Sequence, residues 1–193
     1  MNEKRNGALD RYPIEKMRAG RPSVTVKEDG AVIFYLYAPA AKIVQVAGLG
    51  GYFTNKKIDL MPDGQGGFFA EVQDFHWGMH YYFWYVDGVR ICNPYAGISY
   101  GCFAAINTFE VQEKNVDFYF AKDIPHGTVS ICKYVSKVSS QLKECYVYTP
   151  YGYEEGDERY PVLYLQHGVG ESETGWIWQG KANLIMDCLI AEG

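Results

Sequence analysis

The stretch Pro161-Val-Leu-Tyr-Leu-Gln-His-Gly168 decides how the C-terminal part of this sequence is expected to fold. It is apolar over the length of one strand, begins at a proline and ends in a histidine–glycine turn. Such a run is typical of a strand that is buried on both faces of a sheet. Helical spacing of apolar residues follows from Lys181 to Glu192. Strand, glycine turn and helix in this order predict the beginning of an α/β unit.

The chain before this stretch contains two more strand-like runs. Thr128–Val138 and Gln141–Thr149 flank Ser139-Ser140, and Val116–Pro125 reads as an extended linker. We therefore expect a domain boundary near Asp123.

Upstream of the linker the pattern is one of short strands separated by turn residues. Lys56–Met61 and Ala104–Val111 are each predicted to be one such strand. The clearest signal is Asp87-Gly88, which joins the aromatic run 81–86 to the short run 89–91. A type I′ turn needs positive φ at both central residues, and Asp-Gly supplies them, so we expect a β-hairpin here. About seven or eight strands at this spacing, with no helix between them, predict an immunoglobulin-like β-sandwich.

The predicted fold class is therefore mainly β. An immunoglobulin-like β-sandwich over residues 23–122 follows an N-terminal arm over residues 1–22. The N-terminal part of an α/β-hydrolase fold is then expected over residues 123–193.

Composition excludes several classes of protein. Net charge is −5, which disfavours nucleic acid as a partner because phosphate binding needs a basic field. No apolar run is long enough to span a membrane, and the charged first twenty residues do not resemble a signal peptide. The five cysteines show no CxxC spacing, so neither a disulfide framework nor a metal cluster is expected. Because a signal peptide could have been removed from the natural protein, the compartment stays open between secreted or periplasmic and cytoplasmic.

Two patterns, a histidine pair and a serine between glycines, have plain structural readings. His76 and His80 are four residues apart, but Trp77-Gly78 lies between them and no third ligand follows, so no zinc site is predicted. Gly97-Ile-Ser-Tyr-Gly101 matches the G-x-S-x-G pattern of a nucleophile elbow. It follows an Asn-Pro loop and precedes a strand, whereas an elbow follows a buried strand and opens a helix. Ser99 is therefore not expected to be a nucleophile.

Two parts of the sequence resemble known families. The first consists of Val46-Ala-Gly48, Gly67–Val72, the hairpin Gly78–Gly88 and Asn93-Pro94, and it resembles the glycogen-binding-type modules of carbohydrate-binding family 48 and their early-set relatives. The second consists of Ile124–Gly127, Tyr146–Tyr153, Tyr160–Gly168, Trp176 and Leu189–Gly193. It resembles the opening of carbohydrate esterase family 1, the feruloyl and acetyl-xylan esterases of the esterase D kind.

The esterase resemblance implies a serine carboxylic-ester hydrolase that acts on feruloyl or acetyl esters of plant cell-wall polysaccharides, with no cofactor and no metal. In that family the nucleophile elbow and its partners lie downstream of the histidine–glycine turn, so this chain is expected to be truncated before them and to be inactive alone. The turn would supply an oxyanion-hole N–H from the backbone of Gly168, Val169 or Gly170. His126 and His167 come too early to be the catalytic base, and His167 is expected to shape the turn.

The sandwich resemblance raises the question of sugar binding. Tyr52, Phe53, Trp77 and Trp84 are candidates to stack on a sugar ring, with the core of the sandwich as the alternative location for at least two of them. Phe53, Phe83 and Arg90 replace residues that glycan-binding members use, whereas their asparagine is kept as Asn107. The candidate substrate-binding residues are therefore Trp176, Tyr52, Phe53, Trp84 and Asn107. A non-catalytic carbohydrate-binding or docking module stays open as the alternative function.

Truncation has a physical consequence for the Pro161 stretch. In the resembling fold this strand lies between two strands that come later in the chain. Left alone, Pro161–His167 would expose unpaired backbone groups and two apolar faces. We therefore expect it to pair with another copy or to pack on the sandwich, unless the native protein is longer.

Overall fold

The structure is a computed structural model, and it describes residues 21–49, 53 and 56–193. Most of the predicted N-terminal arm, residues 1–20, lies outside these residues. The described chain contains twelve strands, one 3₁₀ turn and two helices. The strands are β1 Val24–Val26, β2 Val32–Tyr37, β3 Val44–Gly48, β4 Lys57–Asp59, β5 Met61–Pro62, β6 Gly67–Val72, β7 Gly78–Val86, β8 Val89–Ile91, β9 Ile98–Gly101, β10 Ala104–Val111, β11 Thr128–Val135 and β12 Leu142–Thr149. The 3₁₀ turn is Tyr153–Glu155, and the helices are α1 Gly175–Trp178 and α2 Ala182–Glu192.

The first ten strands form two antiparallel sheets. One has the order β1-β2-β6-β5, and the other has the order β4-β3-β7-β10-β9 with β8 paired to β7. Mainly β structure of the immunoglobulin-like sandwich type is therefore confirmed. The chain forms two compact units. One holds the described residues up to Ser99 together with Ala105–Asn115, and the other holds Tyr100–Ala104 and Val116–Gly193.

Alternating side chains of the strands build the core of the sandwich unit. In β2, Val32, Phe34 and Leu36 are buried while the residues between them are more exposed. This period of two sends one face of each strand into the core. Phe34 is fully buried and makes ring contacts with a set of five aromatic residues: Phe53, Phe75, Tyr82, Trp84 and Phe109.

The Asp-Gly hairpin forms as predicted. Asp87 has φ 48° and Gly88 has φ 85°, both in the left-handed region. The Asp87 carboxylate also accepts hydrogen bonds from the N–H groups of Lys42 and Ile43, each at 2.8 Å. The turn therefore fixes the β7–β8 register and also ties down the start of β3.

One predicted strand is divided between the two sheets. The run Lys56–Met61 was expected to be a single strand, but β4 pairs with β3 whereas β5 pairs with β6 in the other sheet. Leu60 lies between them, is buried and donates its N–H to the Val44 carbonyl. The buried side chain at this crossing point anchors the chain as it changes sheets.

The strand predicted for Pro161–His167 is wrong for this structure. No ladder forms between this segment and any other described part of the chain, and Val162, Leu163 and Tyr164 are 70%, 70% and 87% exposed. A strand exists only through hydrogen bonds to a neighbour, and in the described part of the chain none pairs with this segment. The helix predicted from Lys181 to Glu192 does form, as α2, with Lys181 as its N-terminal cap residue.

Among the described residues no helix has the length and apolar character needed to cross a membrane.

Candidate functional site

The histidine–glycine turn has the geometry of a tight backbone corner. Gly170 has φ 83°, a conformation that glycine adopts at little cost. The Gly168 N–H donates to Glu171 Oε2 at 3.4 Å, and the Glu171 N–H donates to the Gly168 carbonyl at 3.2 Å. These two bonds close the turn, and the Val169 side chain between them is 89% exposed.

His167 contacts the turn itself. Its Nδ1 lies 2.9 Å from the Gly168 carbonyl oxygen, so the ring donates to the backbone of the corner. This contact is of the kind expected for a residue that shapes the turn rather than one that carries out chemistry.

A second segment with positive φ angles lies beside Gly170. Cys102 and Phe103 have φ 50° and 66°, and the Phe103 N–H donates to the Gly170 carbonyl at 2.8 Å. A Cβ built on Gly170 would come within 3.0 Å of the Phe103 ring and backbone nitrogen. Both segments belong to the same compact unit. Left-handed φ at a bulky residue costs roughly 1–2 kcal/mol, and such strain is concentrated at functional sites.

Among the predicted substrate-binding residues that the structure describes, Trp176 is the one that lies beside the turn with an exposed ring. Its side chain is 43% exposed, and its indole N–H donates to the Gln166 carbonyl at 3.0 Å. The bond holds the ring beside the Pro161–His167 segment while leaving part of its face in solvent.

Three of the other predicted substrate-binding residues, Phe53, Trp84 and Asn107, lie in the sandwich unit. Phe53 and Trp84 are 2% and 0% exposed and belong to the core cluster of the sandwich unit. Their location is the alternative that the sequence left open. Tyr52 lies outside the described residues.

Asn107 is fully buried and serves the backbone. Its Oδ1 accepts the Asn93 N–H at 2.7 Å, and its Nδ2 donates to the carbonyls of Asn93 and Gly97 at 2.9 and 3.2 Å. No part of the amide is left for a sugar, so we correct its role to that of a clamp on the 93–97 loop.

Ser99 and the His76–His80 pair lie in the sandwich unit. Ser99 is buried within β9, a strand that the sequence analysis missed, so the G-x-S-x-G pattern does not form an elbow. His80 Nε2 donates to the His76 carbonyl at 2.7 Å and the ring stacks on Phe109, and burial lowers the pKa of His80. Within the described residues no group of three or more His, Cys, Asp or Glu side chains could hold a metal ion.

A buried carboxylate in α2 was not predicted. Asp187 is 4% exposed, and it accepts three hydrogen bonds: from the Gly127 N–H at 2.8 Å, from the Tyr148 hydroxyl at 2.7 Å and from His126 Nδ1 at 2.8 Å. We call these four residues the Asp187 network. It ties α2 to the start of β11 and to the end of β12.

The charge of Asp187 perturbs its neighbours. Its hydrogen bond raises the pKa of His126, and the other ring nitrogen of His126 lies 2.9 Å from the Lys122 carbonyl. Because both ring nitrogens face acceptors, the geometry suits the doubly protonated imidazolium. Partial burial is the larger cause that raises the pKa of Tyr148, and the hydrogen bond to Asp187 is the second cause. The Tyr148 hydroxyl therefore stays protonated and donates at neutral pH.

A small cavity adjoins the network. It has a volume of about 210 Å³ and is lined by Pro125, Tyr148, Tyr151, Asp187, Ile190 and Ala191. Since the Asp187 oxygens are already engaged, the cavity offers mainly apolar and phenolic surface. A buried acid within the apolar run 184–190 was the sequence signal that could have revealed this network.

Comparison with known proteins gives a match over almost the whole chain. Over 191 residues, 95% of this chain, the sequence is 38% identical to a protein of Xylanibacter ruminicola named endo-1,4-beta-xylanase/feruloyl esterase. The chain spans about a quarter of that relative's length, 26%. No protein-family model matches the sequence.

Solved structures match at lower identity. A Group B Streptococcus pullulanase is 18% identical, with a TM-score of 0.41 over 48% of this chain and 15% of that one. The enterobactin esterase of Shigella flexneri is 12% identical, with a TM-score of 0.43 over 60% of this chain and 39% of that one. Values this low carry no statement about activity.

Proposed function

We propose that this chain is the N-terminal portion of a serine carboxylic-ester hydrolase that acts on feruloyl or acetyl esters of plant cell-wall polysaccharides. The observation that carries the proposal is the 38% identity over 95% of the chain to a relative whose name includes feruloyl esterase. The strand-like run, histidine–glycine turn and helix of residues 161–192 support it, because they have the order in which such a fold presents an oxyanion turn.

In this proposal the backbone N–H of Val169 or Gly170 is one donor to the oxyanion, and the exposed faces of Trp176 and Phe103 contribute aromatic surface beside it. Phe103 is 74% exposed. The nucleophile and its histidine come from sequence downstream of Gly193. The 193-residue chain alone is therefore expected not to hydrolyse esters.

The test compares two lengths of the natural protein. Intact mass and hydrolysis of an aryl acetate, methyl ferulate and acetylated xylan are measured on the 193-residue chain and on a version extended by about 200 residues, roughly one further domain. Turnover by the longer version alone supports the proposal. Absence of turnover by both versions would reduce the resemblance to one of fold.

A paired substitution in the longer version tests the oxyanion turn. In Gly170→Ala the new Cβ would meet Phe103 at 3.0 Å at a residue with φ +83°, so the turn must shift. We expect kcat to fall about 100- to 1,000-fold with little change in KM, as for loss of an oxyanion donor. Gly152→Ala is the matched control, since φ is +77° there and nothing lies within 4 Å of the added Cβ. Equal losses in both variants would show that the effect is one of folding.

A second candidate function, a carbohydrate-binding or docking module, is favoured by one observation. The Trp77 side chain in the sandwich unit is 65% exposed, and a flat exposed indole can stack on a sugar ring. Retention of the 193-residue chain on insoluble xylan, cellulose or starch, lost in Trp77→Ala and kept in Met61→Ala, would support it. Met61 is the control because its apolar side chain is 60% exposed but not aromatic.

We also propose that isolated copies of the chain associate through Pro161–His167. The exposed apolar side chains of Val162, Leu163 and Tyr164 lie on backbone that has no ladder partner among the described residues. Sedimentation equilibrium should show a concentration-dependent mass that Leu163→Lys abolishes. A monomer at all concentrations would refute self-association without touching the esterase proposal.

A further inference from the structure

Two cysteines face each other across the hairpin formed by β11 and β12. All five cysteines of the chain lie in its described part, and all are free thiols. Cys132 of β11 is directly opposite Cys145 of β12 in the antiparallel register. Cys132 is exposed and Cys145 is half-buried.

The register that opposes them is firmly set. The ladder pairs every residue from Thr128↔Thr149 to Val135↔Leu142. The next pair along, Lys133 and Glu144, carries opposite charges, and its Nζ lies 3.6 Å from Oε2. A slip of one residue would break that ion pair and send every side chain to the opposite face.

Directly opposed residues place their thiols within bonding reach. Cβ atoms of such pairs are about 4.5–5.5 Å apart, and their Cα atoms fall in the range that disulfides span. Residues 145 and 148 differ by an odd number, so the two thiols lie on the face of the hairpin away from Tyr148 and the Asp187 network. A bond between them would therefore leave that network in place.

The stability of a disulfide between opposed strands depends on whether the opposed pair is a hydrogen-bonded or a non-hydrogen-bonded one. The Ser136 N–H donates to the Gln141 carbonyl at 2.9 Å, which makes this opposed pair a hydrogen-bonded one. Hydrogen-bonded pairs recur every second residue, so Cys132 and Cys145 are also at a hydrogen-bonded position. Cβ atoms are farther apart there than at the alternate positions, and disulfides favour about 3.8 Å. A disulfide at this site is strained, and strained disulfides are readily reduced.

We propose that Cys132 and Cys145 form a reversible cross-strand dithiol–disulfide site whose oxidant is a low-molecular-weight disulfide such as oxidised glutathione. One cysteine thiolate attacks the glutathione disulfide, forms a mixed disulfide and releases one glutathione thiolate. The opposed cysteine then attacks the protein sulfur of the mixed disulfide and releases the second glutathione. Two cysteine thiols are oxidised, one glutathione disulfide is reduced to two thiols, and the two cysteine protons pass to the leaving thiolates.

The chain contains its own matched control. Cys102 is exposed, as Cys132 is, but lies at a turn rather than opposite another cysteine in a ladder. It can take up glutathione but is not opposed by a second cysteine in a ladder, so its mixed disulfide should persist. Cys132→Ser and Cys145→Ser remove one member of the pair each.

The experiment incubates the folded 193-residue chain with oxidised glutathione, quenches with acid, blocks free thiols and maps the peptides by mass spectrometry. We expect a Cys132–Cys145 linked peptide, lighter than the dithiol form by two hydrogens, together with a glutathione adduct on Cys102. Reduced glutathione should reverse the link, and in Cys145→Ser the adduct on Cys132 should persist. Stable adducts on both Cys132 and Cys145 in the unchanged protein, a link from either to another cysteine, or no reaction at the pair would each overturn the proposal.

Discussion

Removal of the Asp187 carboxylate is the change from which we expect the largest local effect outside the sandwich core. In Asp187→Ala the Gly127 N–H and the Tyr148 hydroxyl lose an acceptor that they now reach at 2.8 and 2.7 Å. A donor left without a partner in a largely buried position costs about 1–3 kcal/mol, and the adjoining cavity lets water satisfy part of the loss. His126 adds little, because its side chain is 44% exposed and solvent screens its ion pair.

The two donors together give an expected loss of about 2–4 kcal/mol in the free energy of opening this region. Asp187→Asn keeps one oxygen for both donors and loses the charge, so we expect about 1 kcal/mol. Glu144→Gln is the control, because it removes the partner of Lys133 in a solvent-accessible ion pair on the same hairpin. It should cost less than about 1 kcal/mol.

Hydrogen–deuterium exchange read by mass spectrometry measures the effect where it occurs. A loss of 2–4 kcal/mol corresponds to a roughly 30- to 1,000-fold fall in protection, since about 1.4 kcal/mol is tenfold. The fall should appear in peptides from β11, β12 and α2, and peptides from β2 and β6 should be unchanged. Unchanged exchange in Asp187→Ala would refute the reasoning. Equal effects in the Ala and Asn variants would show that the hydrogen bonds to Oδ1 are not what stabilises the region.

Three further outcomes are expected. The pKa of His126 is raised in the folded state, so its stabilising contribution is fully present below the unfolded pKa of about 6.5 and is lost as pH rises through the folded pKa. Amide exchange of α2 should therefore speed up over that pH range by more than the intrinsic pH dependence of exchange accounts for. His126→Gln should abolish this excess. Phe34→Ala should cost about 3–5 kcal/mol in urea unfolding followed by near-ultraviolet circular dichroism, because a fully buried ring with five aromatic neighbours is deleted; a loss below about 1 kcal/mol would contradict the core packing. Gly88→Ala should lower the free energy of unfolding by about 1–2 kcal/mol through its φ of +85° alone, since its added Cβ meets nothing within 4 Å. Gly88→Asn should lower it less, because asparagine tolerates this conformation. A larger loss in Gly88→Asn than in Gly88→Ala would contradict the type I′ turn.

The strands of the sandwich were predictable because their signals are local. Alternation of buried and exposed residues in β2 and the Asp87-Gly88 turn depend on neighbours in sequence. The run Ala104–Val111 was predicted with the bounds that the structure gives β10. Where a strand changes sheets, at Leu60, the sequence shows one continuous run, and only the positions of the two partner strands reveal the division.

The candidate site was predicted less completely, and the reasons differ by residue. Exposure decides whether an aromatic side chain can bind a sugar, and aromatic identity alone does not reveal exposure. Trp77 and Trp84 have the same side chain, but one is 65% exposed and the other is fully buried. The Asp187 network was missed because its members, residues 126, 127, 148 and 187, are brought together only by the packing of α2 on the β11–β12 hairpin.

The contrast between α2 and Pro161–His167 explains why one prediction in the C-terminal segment is confirmed and the neighbouring one is wrong. A helix makes its backbone hydrogen bonds within its own segment, so Ala182–Glu192 forms without a neighbouring strand. A strand satisfies its backbone only through a neighbour, so the same apolar run is a buried strand beside partners and an exposed, unpaired segment without them. The apolar pattern of Pro161–His167 therefore indicates that the segment needs neighbouring strands to become a buried strand. If sequence downstream of Gly193 supplies those surroundings, the backbone amides of residues 162–167 should change from fast exchange in the 193-residue chain to protected exchange in the longer version. Fast exchange in both would mean that this segment is not a sheet strand in the native protein.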